Sequence, residues 1–134
     1  MSADYDLPGS VTVSVLTPAT AITTNTNTSN FDLQPYQGCV GVVLNAGANT
    51  AGDANAKLQG TLYDSADNSS YAIALNATNT FTNVTNANSL QVLDVDTRSV
   101  RRYIRVVLNV YGVNTSYPVS LSVFGAKQYT PNAV

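Results

Sequence analysis

Apolar and polar residues alternate along most of this chain with the two-residue period of a β-strand, and Asn, Asp, Gly and Ser break the alternation at short intervals. In "SVTVSVL" (Ser10 to Leu16), Val11, Val13 and Val15 fall on one face and Ser10, Thr12 and Ser14 on the other, which predicts a half-buried strand with the valines inward. A polar stretch from Thr17 to Asn30 follows, with room for a short edge piece around Ala21 to Thr23; Pro18 suits an edge or a turn. "GCVGVVLNAG" (Gly38 to Gly47) reads as a strand buried on both faces. "KLQGTLYDS" (Lys57 to Ser65) and "YAIAL" (Tyr71 to Leu75) flank the turn "DSADNSS" and predict a hairpin. Phe81 and Val84 lie in an Asn/Thr-rich link too polar for a full strand. Further strands are predicted over Ser89 to Val95, Tyr103 to Tyr111 and Pro118 to Gly125. About eight short strands separated by turns, and no convincing helix, predict an all-β antiparallel sandwich. Periodicity alone does not separate a jelly roll from an immunoglobulin-like arrangement.

Composition sharpens this picture. A chain of 134 residues is expected to form a single β-sandwich domain over 1–134, with an N-terminal arm at 1–9 and a C-terminal tail at 126–134. Charged residues make up only 10% of the sequence; there is no Glu, and Lys occurs only at positions 57 and 127. The usual surface residues of helices are therefore nearly absent, while Thr, Asn, Val and Tyr are abundant. A net charge of −2 argues against nucleic acid as a partner for the chain as a whole. So little charge also leaves little to oppose packing against other protein. The start "MSADYDLPGS" lacks the basic and apolar regions of a signal peptide, and no apolar run is long enough to span a membrane. Cys39, the single cysteine, reads as a small buried residue of its strand.

Candidate chemistry is sparse. His is absent, which removes the commonest general base and metal ligand, and no phosphate loop, nucleophile elbow or zinc spacing occurs. No catalytic residue, cofactor or metal is expected. Asp64, Asp67 and Asn68 form one oxygen-rich cluster, and Asp94 with Asp96 another; turn chemistry and a local ion pair with Arg98 account for them more simply than Ca²⁺. Tyrosine is plentiful, and Tyr5 and Tyr129 near the termini, with Leu7 and Pro8, are candidate anchors on a neighbouring chain.

The basic residues are unevenly placed. "RSVRRYIR" holds Arg98, Arg101, Arg102 and Arg105, four of the six in the chain. Counting from Arg102, positions 102, 104, 106, 108 and 110 make a core-like face and 103, 105, 107, 109 and 111 a mixed one. The arginines therefore collect where a central strand leaves the sandwich. There they are expected either to pair with local Asp or to anchor a protein partner.

The C-terminal part carries a resemblance. The run from Phe81 to Tyr129, with "RYIRV", a Gly-bearing turn and a final strand ending "GAKQY", resembles small structural proteins of tailed bacteriophages. "LQGTLYDSADNSSY" upstream fits the L-x-x-S-x-D hairpin of the same group. That group includes capsid decoration, or cement, proteins of jelly-roll fold. The resemblance covers residues 57 to 129 and leaves the N-terminal third unmatched. It implies a jelly roll, a homotrimer, the major capsid protein as partner and the outside of the virion head as location, after synthesis in the host cytoplasm. The alternatives are a carbohydrate-binding jelly-roll module on a virion surface and a head or tail completion protein.

Overall fold

The computed structural model describes residues 11–75, 77 and 79–127, and the candidate anchors Tyr5, Leu7, Pro8 and Tyr129 lie outside them. Nine strands fall into two antiparallel sheets, with no helix among the described residues: β1 (Thr12–Ile22), β2 (Thr26–Asn27), β3 (Phe31–Asp32), β4 (Tyr36–Ala46), β5 (Lys57–Ser65), β6 (Ala72–Ile73), β7 (Ser89–Asp96), β8 (Tyr103–Tyr111) and β9 (Tyr117–Lys127). One sheet has the order β1-β9-β4-β7. The other has β2-β8-β5-β6, with β3 also pairing β8. The protein is an all-β sandwich, as the alternation predicts. β9 runs to Lys127, so the tail begins beyond the expected position 126.

The core follows from the inner strands of the two sheets. On β4, Val40, Val42, Leu44 and Ala46 point inward; on β8, Ile104, Val106 and Leu108 do so, all at most 2% exposed and members of one buried cluster. "VVLN" occurs in both strands, and each is flanked by hydrogen-bonded neighbours in its own sheet. Leu58 and Leu62 of β5 and Leu121 and Val123 of β9 complete the centre. The Asn/Thr-rich link forms no strand, as expected, but it is not peripheral. Val84 exchanges backbone hydrogen bonds with Leu58, and the Phe81 amide donates to the Gly60 carbonyl, which sets both side chains into the core beside β5.

Three expectations are corrected. In β1 the valines face out: Val13 is 67% and Val15 63% exposed, whereas Leu16, in phase with Thr12 and Ser14, is buried. β4 is not buried on both faces. Its outward positions are Cys39, Gly41, Val43 and Asn45, of which Gly41 is covered by the Phe124 ring where a Cβ would collide, and Asn45 is exposed. Cys39 is exposed too: it pairs with Asp96 in phase with Gly41, Val43 and Asn45 on the outer face, and the slip in β4–β9 pairing between Gln37 and Gly41 leaves it without a partner on β9.

Tyr117 is fully buried, and its hydroxyl finds no hydrogen-bond partner among the described residues. Its contribution is therefore the ring. Tyr117→Phe is expected to change stability by less than about 1 kcal/mol or to raise it, because it removes an orphaned polar atom. Tyr117→Ala is expected to cost about 3–5 kcal/mol. Urea unfolding of both variants checks the pair; a Phe variant as damaged as the Ala variant overturns this account.

Candidate functional site

The four arginines divide into three that are paired with carboxylates of the chain and one that has no such partner among the described residues. Arg98 donates from Nε and Nη2 to the two carboxylate oxygens of Asp96, at 3.2 and 3.1 Å, within the turn between β7 and β8. Arg102 does the same to Asp32 of β3, at 3.0 and 2.9 Å. Arg101 grips Asp64 at the end of β5: Nε and Nη2 reach Oδ1 at 2.9 and 2.7 Å, its backbone amide reaches Oδ2, and Nη2 also reaches the Asp64 carbonyl. The Asp64 side chain is 9% exposed, so this pair is the most sheltered of the three. Together the pairs pin the β7–β8 turn to β3 and β5 at one end of the sandwich. Only Arg98 pairs with a local Asp; Arg101 and Arg102 are also paired within the chain, but with Asp64 and Asp32, 37 and 70 residues away.

The Asp64, Asp67 and Asn68 cluster is consumed in the same way, and of the other pair Asp96 is held by Arg98. Ser65 Oγ donates to Asp67 Oδ1 at 2.9 Å and accepts from the amides of Asp67 and Asn68. Asp67 Oδ1 then accepts from the amides of Ser69 and Ser70, both at 2.9 Å. Ser65 and Asp67 are thus the S and D of the L-x-x-S-x-D hairpin, and their work is to build the β5–β6 turn, with Asn68 at φ 62°. Among the described residues no three His, Cys or Asp side chains come together as a metal site.

What the alternation concealed is the outer face of the β1-β9-β4-β7 sheet. Cross-strand pairing lays out one row as Val13, Phe124, Gly41 and Asp94, and the next as Val15, Ser122, Val43 and Val92. A third places Ser120, Asn45 and Leu90 side by side. Of the nine large hydrophobic residues exposed among the described ones, five are here: Val13, Val15, Leu90, Val92 and Phe124. The charges on this side, Asp94 and the Arg98-bound Asp96, both belong to the edge strand β7. From strand spacings the face measures roughly 20 by 20 Å, or about 400 Å², a size at which a patch on a monomer is often functional. The signal was present in "SLQVLDV", where Leu90 and Val92 fall on one face and Leu93 and Val95 on the other.

The opposite outer face, on β5 and β8, is built from tyrosines covered by cations. Lys57 Nζ lies 4.9 Å from the Tyr111 ring centre, the Arg102 guanidinium 4.8 Å from that of Tyr103, and the Arg105 guanidinium 4.2 Å from that of Tyr71. Such contacts lay long side chains flat along the sheet.

Two tests of the paired network follow. Arg101→Ala strands a sheltered Asp64 carboxylate and is expected to cost about 2–3 kcal/mol, whereas Asp64→Ala leaves a half-exposed guanidinium and is expected to cost less. Chemical denaturation of the two variants measures the difference, and equal losses would remove the argument. The second test is acid. The amides of Ser70 and Ser69 and the Ser65 hydroxyl hold the Asp67 carboxyl down to about 2. Asp32 and Asp96 are lowered by their arginines, and Asp53 by the amides of Asn55 and Val113. Depressed carboxyls contribute stability that is complete above the unfolded pKa and lost as pH falls through the folded one. Melting temperature should therefore be level near neutrality and decline from about pH 4 toward 2, more shallowly in Asp67→Ala.

Comparison with known proteins finds no family model that matches the chain and no curated protein that matches it.

Proposed function

We propose that the protein is a non-enzymatic virion structural protein of the capsid-decoration kind. It binds the outside of a tailed-phage capsid as a homotrimer and stabilises contacts between major capsid subunits. The observation that carries this reading is the apolar outer face of the β1-β9-β4-β7 sheet. A sheet face with Val13, Val15, Leu90, Val92 and Phe124 exposed, and charge only along one edge, is built to be covered by protein.

The strand order lends further support. If β2 and β3 are taken as one interrupted strand along β8, eight strands divide four and four. The chain passes from one sheet to the other at each step except β5 to β6. That interleaving is what a jelly roll requires, and it agrees with the resemblance over residues 57 to 129. The apolar face alone is smaller than the ~800 Å² per partner of a stable interface. On this reading the terminal segments, with Tyr5, Leu7, Pro8 and Tyr129, add the remaining contact. The carbohydrate-binding alternative draws less support, because the Tyr71, Tyr103 and Tyr111 rings already carry cations on a face that a sugar would stack against.

Purified protein is expected to scatter light as a trimer and to co-sediment with expanded heads. Val92→Asp, at an exposed position, is expected to leave the melting temperature within about 2 °C of the parent, since surface changes usually cost under ~0.5 kcal/mol. The same change should weaken trimer or head binding at least tenfold. A stable monomer without affinity for heads defeats the proposal.

A further inference from the structure

Arg105 stands apart from the other arginines. It is on β8, opposite Tyr63 of β5, on the outer face away from the apolar sheet. Its guanidinium lies over Tyr71, yet its side chain makes no hydrogen bond and no ion pair with any described residue. Nε is buried without an acceptor. The other three arginines all bind their carboxylates through the Nε–Nη2 edge. In Arg105 that edge is closed off, which leaves the Nη1–Nη2 edge as the one a partner can reach.

We propose that Arg105, held flat on Tyr71, is a receptor for a single carboxylate, and that its occupant is an Asp or Glu side chain of a partner protein. Stacking fixes the plane of the guanidinium, so little rotamer freedom remains to be lost when a carboxylate docks end-on through two parallel hydrogen bonds. Tyr71 is itself fixed, its hydroxyl donating to Asn68 Oδ1 at 2.6 Å, in the turn that Ser65 and Asp67 build. Three observations favour a protein carboxylate over other anions. The Tyr71 ring is occupied and offers no stacking surface to a uronic sugar. A phosphate-rich polymer would meet a chain of net charge −2, with Arg102 on this side already neutralised by Asp32. The face around Arg105 also carries Tyr63, Thr61 and Val107, a mixed surface of the kind found at protein interfaces. The site lies on the face opposite the apolar one and does not rest on the capsid reading. If both hold, one module touches a different neighbour with each sheet.

The buried Nε–H makes the test direct, because shelter from solvent slows its exchange and gives it a resolved correlation in ¹⁵N-labelled protein. At constant ionic strength, N-acetyl-aspartate-N′-methylamide is titrated and its Asn counterpart serves as control; glucuronate and inorganic phosphate make two further arms. The aspartate derivative is expected to shift the Arg105 Nε–H signal saturably, with half-saturation at roughly 5–50 mM, the range of one bidentate charge-assisted contact. The Asn derivative should have no effect, and Arg105→Lys, with folding verified by circular dichroism, should weaken the response of the neighbouring amides at least fivefold. A linear or absent shift overturns the proposal. Saturation by glucuronate or phosphate at concentrations several-fold lower than the aspartate derivative overturns the assignment to a protein partner.

Discussion

The apolar core between the two sheets, in which Val40, Val42 and Leu44 of β4 and Ile104, Val106 and Leu108 of β8 are buried in one cluster, is the interaction on which the rest of the structure depends. Each strand is an inner member of its sheet, and burying one face of each commits the whole register, because a slip of one residue would turn every inward side chain outward. With that register set, the outer faces are determined as well. Phe124 must lie over Gly41, the valines of β1 must look to solvent, and Arg105 must emerge beside Tyr63. The outer surfaces are consequences of the core, not separate additions to it.

The β7–β8 turn shows the same dependence at the end of the sandwich. β8 can enter the core at Ile104 only if the chain before it is held, and three arginines in five residues hold it, to Asp96, Asp64 and Asp32. The exposed pairs, Arg98–Asp96 and Arg102–Asp32, are worth little individually. Arg101–Asp64 differs, because Asp64 is sheltered and bound by both the side chain and the main chain of Arg101. In a sequence so poor in charge, half of the six basic residues are thus spent on closing one turn.

How much of this the sequence made legible depended on whether the two faces of a strand differed. β8 was readable because its even positions from Ile104 to Leu108 are apolar and its odd ones mixed, so period and direction came together. β1 was readable as a strand but not in orientation. Alternation supplies the period, and the inward face is then chosen by hydrophobicity, a rule that fails where the outer face is itself apolar. Leu16, in phase with the serine and threonine, was the clue to the reversal. Cys39 was misplaced for a different reason: β4 reads as buried on both faces, whereas it has an outer face, on which alternation sets Cys39 in phase with Gly41, Val43 and Asn45. The arginine pairs were foreseen as a class, but their partners Asp32 and Asp64 are 70 and 37 residues away, beyond what local spacing reveals.

That distribution of charge bears on how the molecule meets others. A sandwich with polar outer faces on both sheets would be complete in itself, and nothing in its burial would call for a partner. Here one outer face is apolar, and the other is a layer of tyrosines with cations laid over them. Three of the four arginines are neutralised by carboxylates of the same chain, and the fourth, with no such partner among the described residues, is held in place by an aromatic ring. Apart from the Tyr117 hydroxyl the core is satisfied internally, and the two faces are not. Hydrophobic area on one side supplies contact that is strong but unspecific in direction, and a single oriented guanidinium on the other supplies direction at little cost in affinity. A module made this way is suited to sit between two protein surfaces of different character.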